Sequence, residues 1–277
     1  MPHALRGVAR HAFETPRRRV PRVGEWMRLL LGAPITCHKQ LARVECRVPS
    51  AYREQAEENQ MSFTLILGNK NYSSWSMRAW LLLRFVEAPF DEILIDLYTA
   101  NSRSQVRDLG GQTGLVPVLR DGETTIWDTC AIIEYLYEVY PKIWPQSRAL
   151  RARGRSLCGE VHSSLQFMRE AMPVNTRARH RTANVTPEVI RDLERIREIW
   201  GTCMAENGGP WLLGDLCALD IMFAPVATRF QTYGVAVTGS ARQFYERILE
   251  HPLVVEWLSA GRPESSTIDQ IELPSSM

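Results

Sequence analysis

The sequence predicts an α/β unit followed by an all-α helical bundle. Three observations carry this reading. Strand-like and helix-like runs alternate from Phe63 to Tyr140, strand signals nearly vanish after "YPKIWPQS", and helical periodicities then run to Gly261. With 277 residues, 45% of them hydrophobic, the chain can bury a large core and has room for about two domains.

The first unit is legible element by element. "FTLILG" is a short strand, and "SSWSMRAWLLLRFVEA" is a helix that must end before Pro89. "FDEILIDL" is a second strand with Ile93, Ile95 and Leu97 on one face, followed by a linking segment of variable character. "LVPVLRDGETTIWD" holds two strands around a turn at Asp121-Gly122, and "DTCAIIEYLYEVY" is an amphipathic helix. The order β-α-β then β-β-α is that of a thioredoxin-like half.

The second unit is helical. In "TPEVIRDLERIREIWGTCM" the residues Val189, Leu193, Ile196, Trp200 and Cys203 recur every three or four positions, with Thr186 as N-cap and Pro187 at the first helical position. "CALDIMFAPVATRFQTY" and "SARQFYERILEHPLVVEWL" continue the pattern. The expected organisation is an extension over 1–60, a thioredoxin-like domain over 61–143, an all-α domain over 148–262 and a tail over 263–277.

Charge and cysteine usage exclude several function classes. Residues 1–60 carry +5 and the remainder −3, so the globular part lacks the basic bias of a nucleic-acid binder. No window approaches the roughly 18 to 20 uninterrupted apolar residues of a membrane helix. Six scattered cysteines, with no CxxC pair and no Cys/His ligand spacing, predict free thiols, a reducing cytoplasmic compartment and no metal. Cys203 and Cys217 read as small buried hydrophobes. The extension is Arg-rich and proline-broken, and the organised pattern begins abruptly at Met61. It is expected to be disordered or not native, with a targeting segment as the alternative.

Four motifs carry chemistry. The first is "NYSSWSMRAWLLL", which sets Tyr72, Ser73, Ser74 and Ser76 at a helix start, where unpaired N–H groups and the helix dipole favour an anion. The second is "TGLVPVL", the third "WDTCAIIEYL" and the fourth "LLGDLCALDIMFAPV". Ser73-Ser74-Trp75-Ser76 stands where thioredoxin-like proteins have CxxC, so dithiol redox chemistry is not expected. A serine hydroxyl there can instead donate to a bound thiol. Lowering a thiol pKa by one to two units from about 8.5 requires about 1.4 to 2.7 kcal/mol, within the range of a charge-assisted bond plus a helix end.

In this order and spacing the four motifs resemble the cytosolic glutathione transferase family, with a bacterial, zeta-like flavour, over roughly Phe63 to Gly261. The resemblance implies glutathione as co-substrate, a small electrophile as second substrate, a homodimer and a role in detoxification. It implies that Ser73 stabilises the thiolate, with Ser74 and Tyr72 behind it. In the zeta-like register the usual serine would fall on Asn71. It further implies a cis bond at Val116-Pro117, with the Val116 backbone pairing with the cysteinyl unit, and Asp128-Thr129 holding the γ-glutamyl end. The alternatives are a maleylacetoacetate-type isomerase and a non-catalytic protein-binding scaffold.

Two further expectations complete the reading. Arg177, Arg179, His180 and Arg181 read as a solvated loop rather than an anion site, and the electrophile is expected around Met168, Met172 and Asn175. The fourth motif departs from the family's Ser/Thr-x-x-Asp box by placing Cys217 before Asp220.

Overall fold

The computed structural model describes residues 63–275. The expected extension over 1–60 lies outside the described residues. Within them a four-stranded sheet is built around β1 (Phe63–Gly68). It pairs in parallel with β2 (Phe90–Ile95) and antiparallel with β3 (Val118–Asp121), which pairs antiparallel with β4 (Thr124–Trp127). The order β2-β1-β3-β4 is the thioredoxin-like arrangement the sequence predicts. Strand β3 runs one residue further than expected: Asp121 pairs with Thr124, so Gly122, at φ 54°, and Glu123 make the turn.

Because successive strand residues point to opposite faces, the apolar run of β1 serves two cores. Phe63, Leu65 and Leu67 join the main core, under α1 (Ser74–Val86) and α3 (Thr129–Tyr137). Ile66 meets Ile95, Val118 and Val106 on the other face. Val106 comes from α2 (Ser102–Asp108), a helix inside the segment expected to be only a variable link. Its sequence, SRSQVRD, holds a single apolar residue and so presents no helical period.

The helical half comprises α4 (Arg148–Ser163), α5 (Gln166–Ala171), α6 (Pro187–Asn207), α7 (Ala218–Tyr233), α8 (Gly239–Glu250) and α9 (Pro252–Gly261). Helix α6 opens as predicted: the Thr186 hydroxyl accepts from the Val189 N–H at 3.4 Å and Pro187 fills the first helical position. The predicted stripe from Val189 to Cys203 is buried throughout. Trp200 sits at its centre, with Phe223, Phe230 and Phe244 ring centroids 5.2 to 5.6 Å away, a packing geometry that aromatic quadrupoles favour. Cys130, Cys158, Cys203 and Cys217 are free thiols, as expected.

Helix α7 opens on the departure noted in the sequence. Asp220 turns its carboxylate back onto two buried backbone donors, the N–H of Leu212 and the N–H of Cys217, both at 2.9 Å. Cys217 is itself buried at the N-cap, where sulfur is a weak acceptor for the orphan N–H groups of the first turn. Cys217→Ser should therefore stabilise the protein by about 0.5 to 2 kcal/mol, read as a higher denaturant midpoint at unchanged slope. An unchanged midpoint contradicts this.

Contacts that lock the two halves gather around α1 and the turn before it. The Arg78 Nε of α1 donates to the Met222 carbonyl of α7 at 2.9 Å. Gly261, ending α9, lies so close to the turn before α1 that a Cβ there would stand 3.0 Å from the Asn71 nitrogen and 2.9 Å from the Thr176 hydroxyl. Beyond it Glu264 accepts from the N–H groups of Lys70 and Asn71 at 2.6 and 2.9 Å.

Candidate active site

The turn that delivers α1 is fixed from both sides. The Asn69 carbonyl accepts from the N–H groups of Tyr72 and Ser73, while its side chain donates to Asp96 and accepts from the Leu97 N–H, both at 2.8 Å. Asn71 accepts from the Thr176 hydroxyl at 2.8 Å and the Arg177 N–H at 3.0 Å. Asn71 thus braces the turn against the helical half.

The hydroxyls at this turn have different partners. Ser73 is the N-cap: its oxygen accepts from the Ser76 N–H at 3.3 Å and its hydroxyl donates to Ser76 Oγ at 2.7 Å. Ser76 Oγ in turn accepts from the Gly68 N–H at 2.9 Å. Ser74, one residue into the helix, accepts from the Arg229 guanidinium at 3.3 Å. Tyr72 donates to the Glu272 carboxylate and accepts from Arg177 at 2.9 Å, so its hydroxyl is already engaged. Burial, and after it the bond to Glu272, raises the Tyr72 pKa.

Sequence reasoning missed the arginines beneath Ser74. Arg229 is almost fully buried in α7, and its N–H groups reach only neutral oxygens: the carbonyls of Met172 and Pro225 and the hydroxyl of Ser74. Burial, and next the neighbouring Arg169, lowers its pKa to about 9. Arg78, buried in α1, bonds the carbonyls of Met222 and Ser74 and lies 4.4 Å from the Trp75 ring centroid. Burial first, and then Arg229 and Arg169, hold it well below the usual arginine range. Arg229 lies in the helix motif "APVATRFQTY", where one arginine among apolar residues is the signal that could have identified it.

Val116-Pro117 is cis, as the resemblance implies. Val116 and Leu115 form the wall shared by two adjoining hollows. One, of about 530 Å³, is lined by Ser73, Ser74, Val116, Arg103, Arg169 and Arg229, among others. The other, of about 170 Å³, is lined by Val116, Pro117, Asp128, Thr129, His162 and Trp75. They adjoin at Trp75, Leu115 and Val116, and we treat them as one groove from the start of α1 to the start of α3. A separate hollow of about 440 Å³ beside Trp211 shares no lining residue with it.

At the far end Asp128 caps α3 through Oδ1, accepting from the N–H of Cys130 at 2.8 Å, while Oδ2 lies 3.2 Å from His162 Nε2. Its backbone sits at φ 77°, ψ 134°, a conformation that costs a non-glycine residue about 1 to 3 kcal/mol. Among the described residues Thr129 Oγ1 is buried without a hydrogen-bond partner, and so is His162 Nδ1. His162, which carries no motif, reaches the groove from α4 with its ring edge-on to Trp75 at 5.3 Å. Asp128, Cys130 and His162 also bring an oxygen, a sulfur and a nitrogen within 4.8 Å of one another. Burial, and next Asp128, raises the Cys130 thiol to about 11.

Two expectations are corrected. Met168 and Met172 are core residues, and Asn175 donates to Glu272 at 2.8 Å; the cleft wall is made instead by their neighbours Arg169, Pro173 and Val174. Helical periodicity identifies the face but not which side faces an opening. Nor is "NTRARHRT" a solvated loop. Arg177 bonds the carbonyls of Glu264 and Ser266, and Arg181 pairs with Glu272 at 3.0 Å, clasping the C-terminal segment over the turn at Tyr72.

Residues 72–139, which include both helix starts and the cis proline, match the model of the family described as glutathione S-transferase, N-terminal domain. Solved structures similar to this chain include a glutathione transferase homolog from Burkholderia with bound glutathione, at TM-score 0.57 and 24% identity, covering 73% of this chain and 98% of that one. Another is the theta class glutathione S-transferase of Xanthomonas axonopodis pv. citri with glutathione bound, at TM-score 0.55 and 21% identity, covering 72% and 97%. The fold is that of the glutathione transferases. Among curated proteins, the dichloromethane dehalogenase of Methylorubrum extorquens is 39% identical over 56 residues, 20% of this chain and 19% of its own length. That of Methylophilus leisingeri is 42% identical over 52 residues. The chain thus spans about a fifth of the length of the curated relatives it matches. On the glutathione transferase fold, the groove from Ser74 to Thr129 lies along the matched segment.

Proposed function

We propose that the protein is a glutathione transferase: it binds glutathione in the groove, holds its sulfur as the thiolate at the start of α1, and presents that thiolate to a small electrophile. The observation that carries this is the state of Ser74. Its oxygen is engaged by Arg229, so its proton is free to point into the cleft, at a helix start whose dipole favours the same negative charge. Ser73, the first choice by register, directs its hydroxyl to Ser76 and supports the helix as its cap. Tyr72, the third choice, is engaged with the C-terminal segment.

At the other end the Thr129 hydroxyl, unpartnered among the described residues at the start of α3, suits a carboxylate, as the γ-glutamyl end of glutathione provides. The Asp128 carboxylate, held between helix and His162, suits the adjacent ammonium. Val116, between the two ends, suits backbone pairing with the cysteinyl unit. No metal is needed. The protein's part is orientation and electrostatic stabilisation, while the covalent step belongs to the glutathione sulfur.

Calorimetric titration with glutathione tests this reading, with Thr129→Val as the decisive variant. The weakened binding should be about tenfold, the worth of one hydrogen bond, while stability is unchanged or higher because the removed hydroxyl has no partner among the described residues. Wild-type protein that takes up no glutathione would leave the non-catalytic scaffold. The acid-isomerase alternative uses the same thiolate and needs cations beside the bound acid, which Arg169 and Arg229 provide in the cleft. The same reading carries a cytoplasmic homodimer, which sedimentation velocity tests.

A further inference from the structure

Resting on that reading, we infer that the second substrate is an anionic electrophile, a compound whose carboxylate binds Arg229 and Arg169 while its reactive carbon faces the sulfur at Ser74. The starting observation is an imbalance of charge. Arg229 is only 4% exposed, and among the described residues no carboxylate pairs with it. A buried cation is costly unless paired, and a guanidinium has five N–H groups, of which Arg229 uses three on neutral oxygens. Arg169, half-buried on the same wall, donates to the carbonyls of Val161 and Ser164 and lies 5.7 Å from the Trp75 ring. Arg103 brings a third positive charge to the mouth.

The cleft contains one acid against these three cations. Glu170 is exposed at the rim, where the Gln166 amide donates to it at 2.6 Å. The lining is otherwise apolar near the arginines, with Pro173, Val174, Leu115 and Ile271, which suits a carbon skeleton bearing one charged group. On that reading glutathione's γ-glutamyl carboxylate sits at Thr129, at the other end of the groove, and its glycyl carboxylate is the competitor for these arginines that the KM for glutathione reports. The planar fork of an arginine matches a carboxylate in two parallel bonds, and exclusion of water strengthens both. The same positive field draws an acid toward the sulfur that attacks it.

The test compares 4-chloro-3-nitrobenzoate with its methyl ester, each rate divided by the uncatalysed rate with glutathione. In the reaction the thiol proton passes to solvent, the sulfur forms a bond to the ring carbon, and the carbon–chlorine bond breaks with loss of chloride. Wild-type protein should favour the acid in kcat/KM by at least about tenfold, the worth of one charge-assisted bond pair. Arg169→Gln should reduce that ratio several-fold, Arg169→Lys should retain much of it, and Glu170→Gln should raise it.

A ratio near one in wild type, with the ester turned over, overturns the inference and leaves the transferase reading intact. A loss in Arg169→Gln that appears equally with both compounds as a raised KM for glutathione also overturns it, since the arginine would then be holding glutathione. If neither compound reacts and glutathione does not bind, the transferase reading itself has failed.

Discussion

Asp220→Ala should lower the unfolding free energy by about 3 kcal/mol at pH 5, measured by guanidinium chloride denaturation. The residue holds the start of α7 by accepting from the buried N–H groups of Leu212 and Cys217, and alanine leaves both unpaired at about 1 to 3 kcal/mol each. The pH dependence gives this prediction its sign. Burial raises the Asp220 pKa from 3.8 to about 6 against the opposing pull of those N–H groups. The folded protein therefore binds the proton more tightly than the unfolded chain. This contribution to stability is full below pH 3.8 and is lost as pH rises through about 6, amounting to about 3 kcal/mol. The gap between wild type and Asp220→Ala should thus narrow from pH 5 to pH 7. A gap that widens over that interval contradicts the assignment.

Ser74→Ala should lower kcat/KM at pH 7 by about ten- to a hundredfold, corresponding to about 1.4 to 2.7 kcal/mol of thiolate stabilisation. The loss should shrink toward pH 9, where glutathione ionises without help. Ser73→Ala should behave differently. Its hydroxyl caps α1 and bonds Ser76, so its removal should cost about 1 kcal/mol of stability and a smaller part of the activity. The two variants separate because the Ser73 hydroxyl is spent on Ser76, whereas the Ser74 oxygen only accepts, from Arg229. Equal kinetic losses would assign the effect to the helix start as a whole.

Much of this architecture is legible in the sequence because it rests on local rules. The strands, the cap at Thr186 and the stripe of α6 all follow from period and residue placement. Helix α2 escaped because its single apolar residue, Val106, completes a core supplied by Ile66, Ile95 and Val118 from elsewhere in the chain.

The chemistry of the site was legible only as a list of candidates. Ranking Ser74 above Ser73 and Tyr72 depends on partners 155 residues away at Arg229 and 200 residues away at Glu272, which no local pattern encodes. His162 was invisible for the same reason: it is a single histidine on a polar helix, and it becomes part of the groove only when α4 packs beside Trp75. The arginines of the cleft carried a weak signal in composition, and their significance lies in the absence of a paired acid among the described residues.

The ultraviolet absorbance of the thiolate, recorded when glutathione is added at neutral pH to wild type, Ser73→Ala and Ser74→Ala, tests the central claim most directly. A thiolate band is expected with wild type, a somewhat reduced band with Ser73→Ala, and its near disappearance with Ser74→Ala while glutathione still binds. A band that persists at full strength in Ser74→Ala, or is absent from wild type saturated with glutathione, would contradict it.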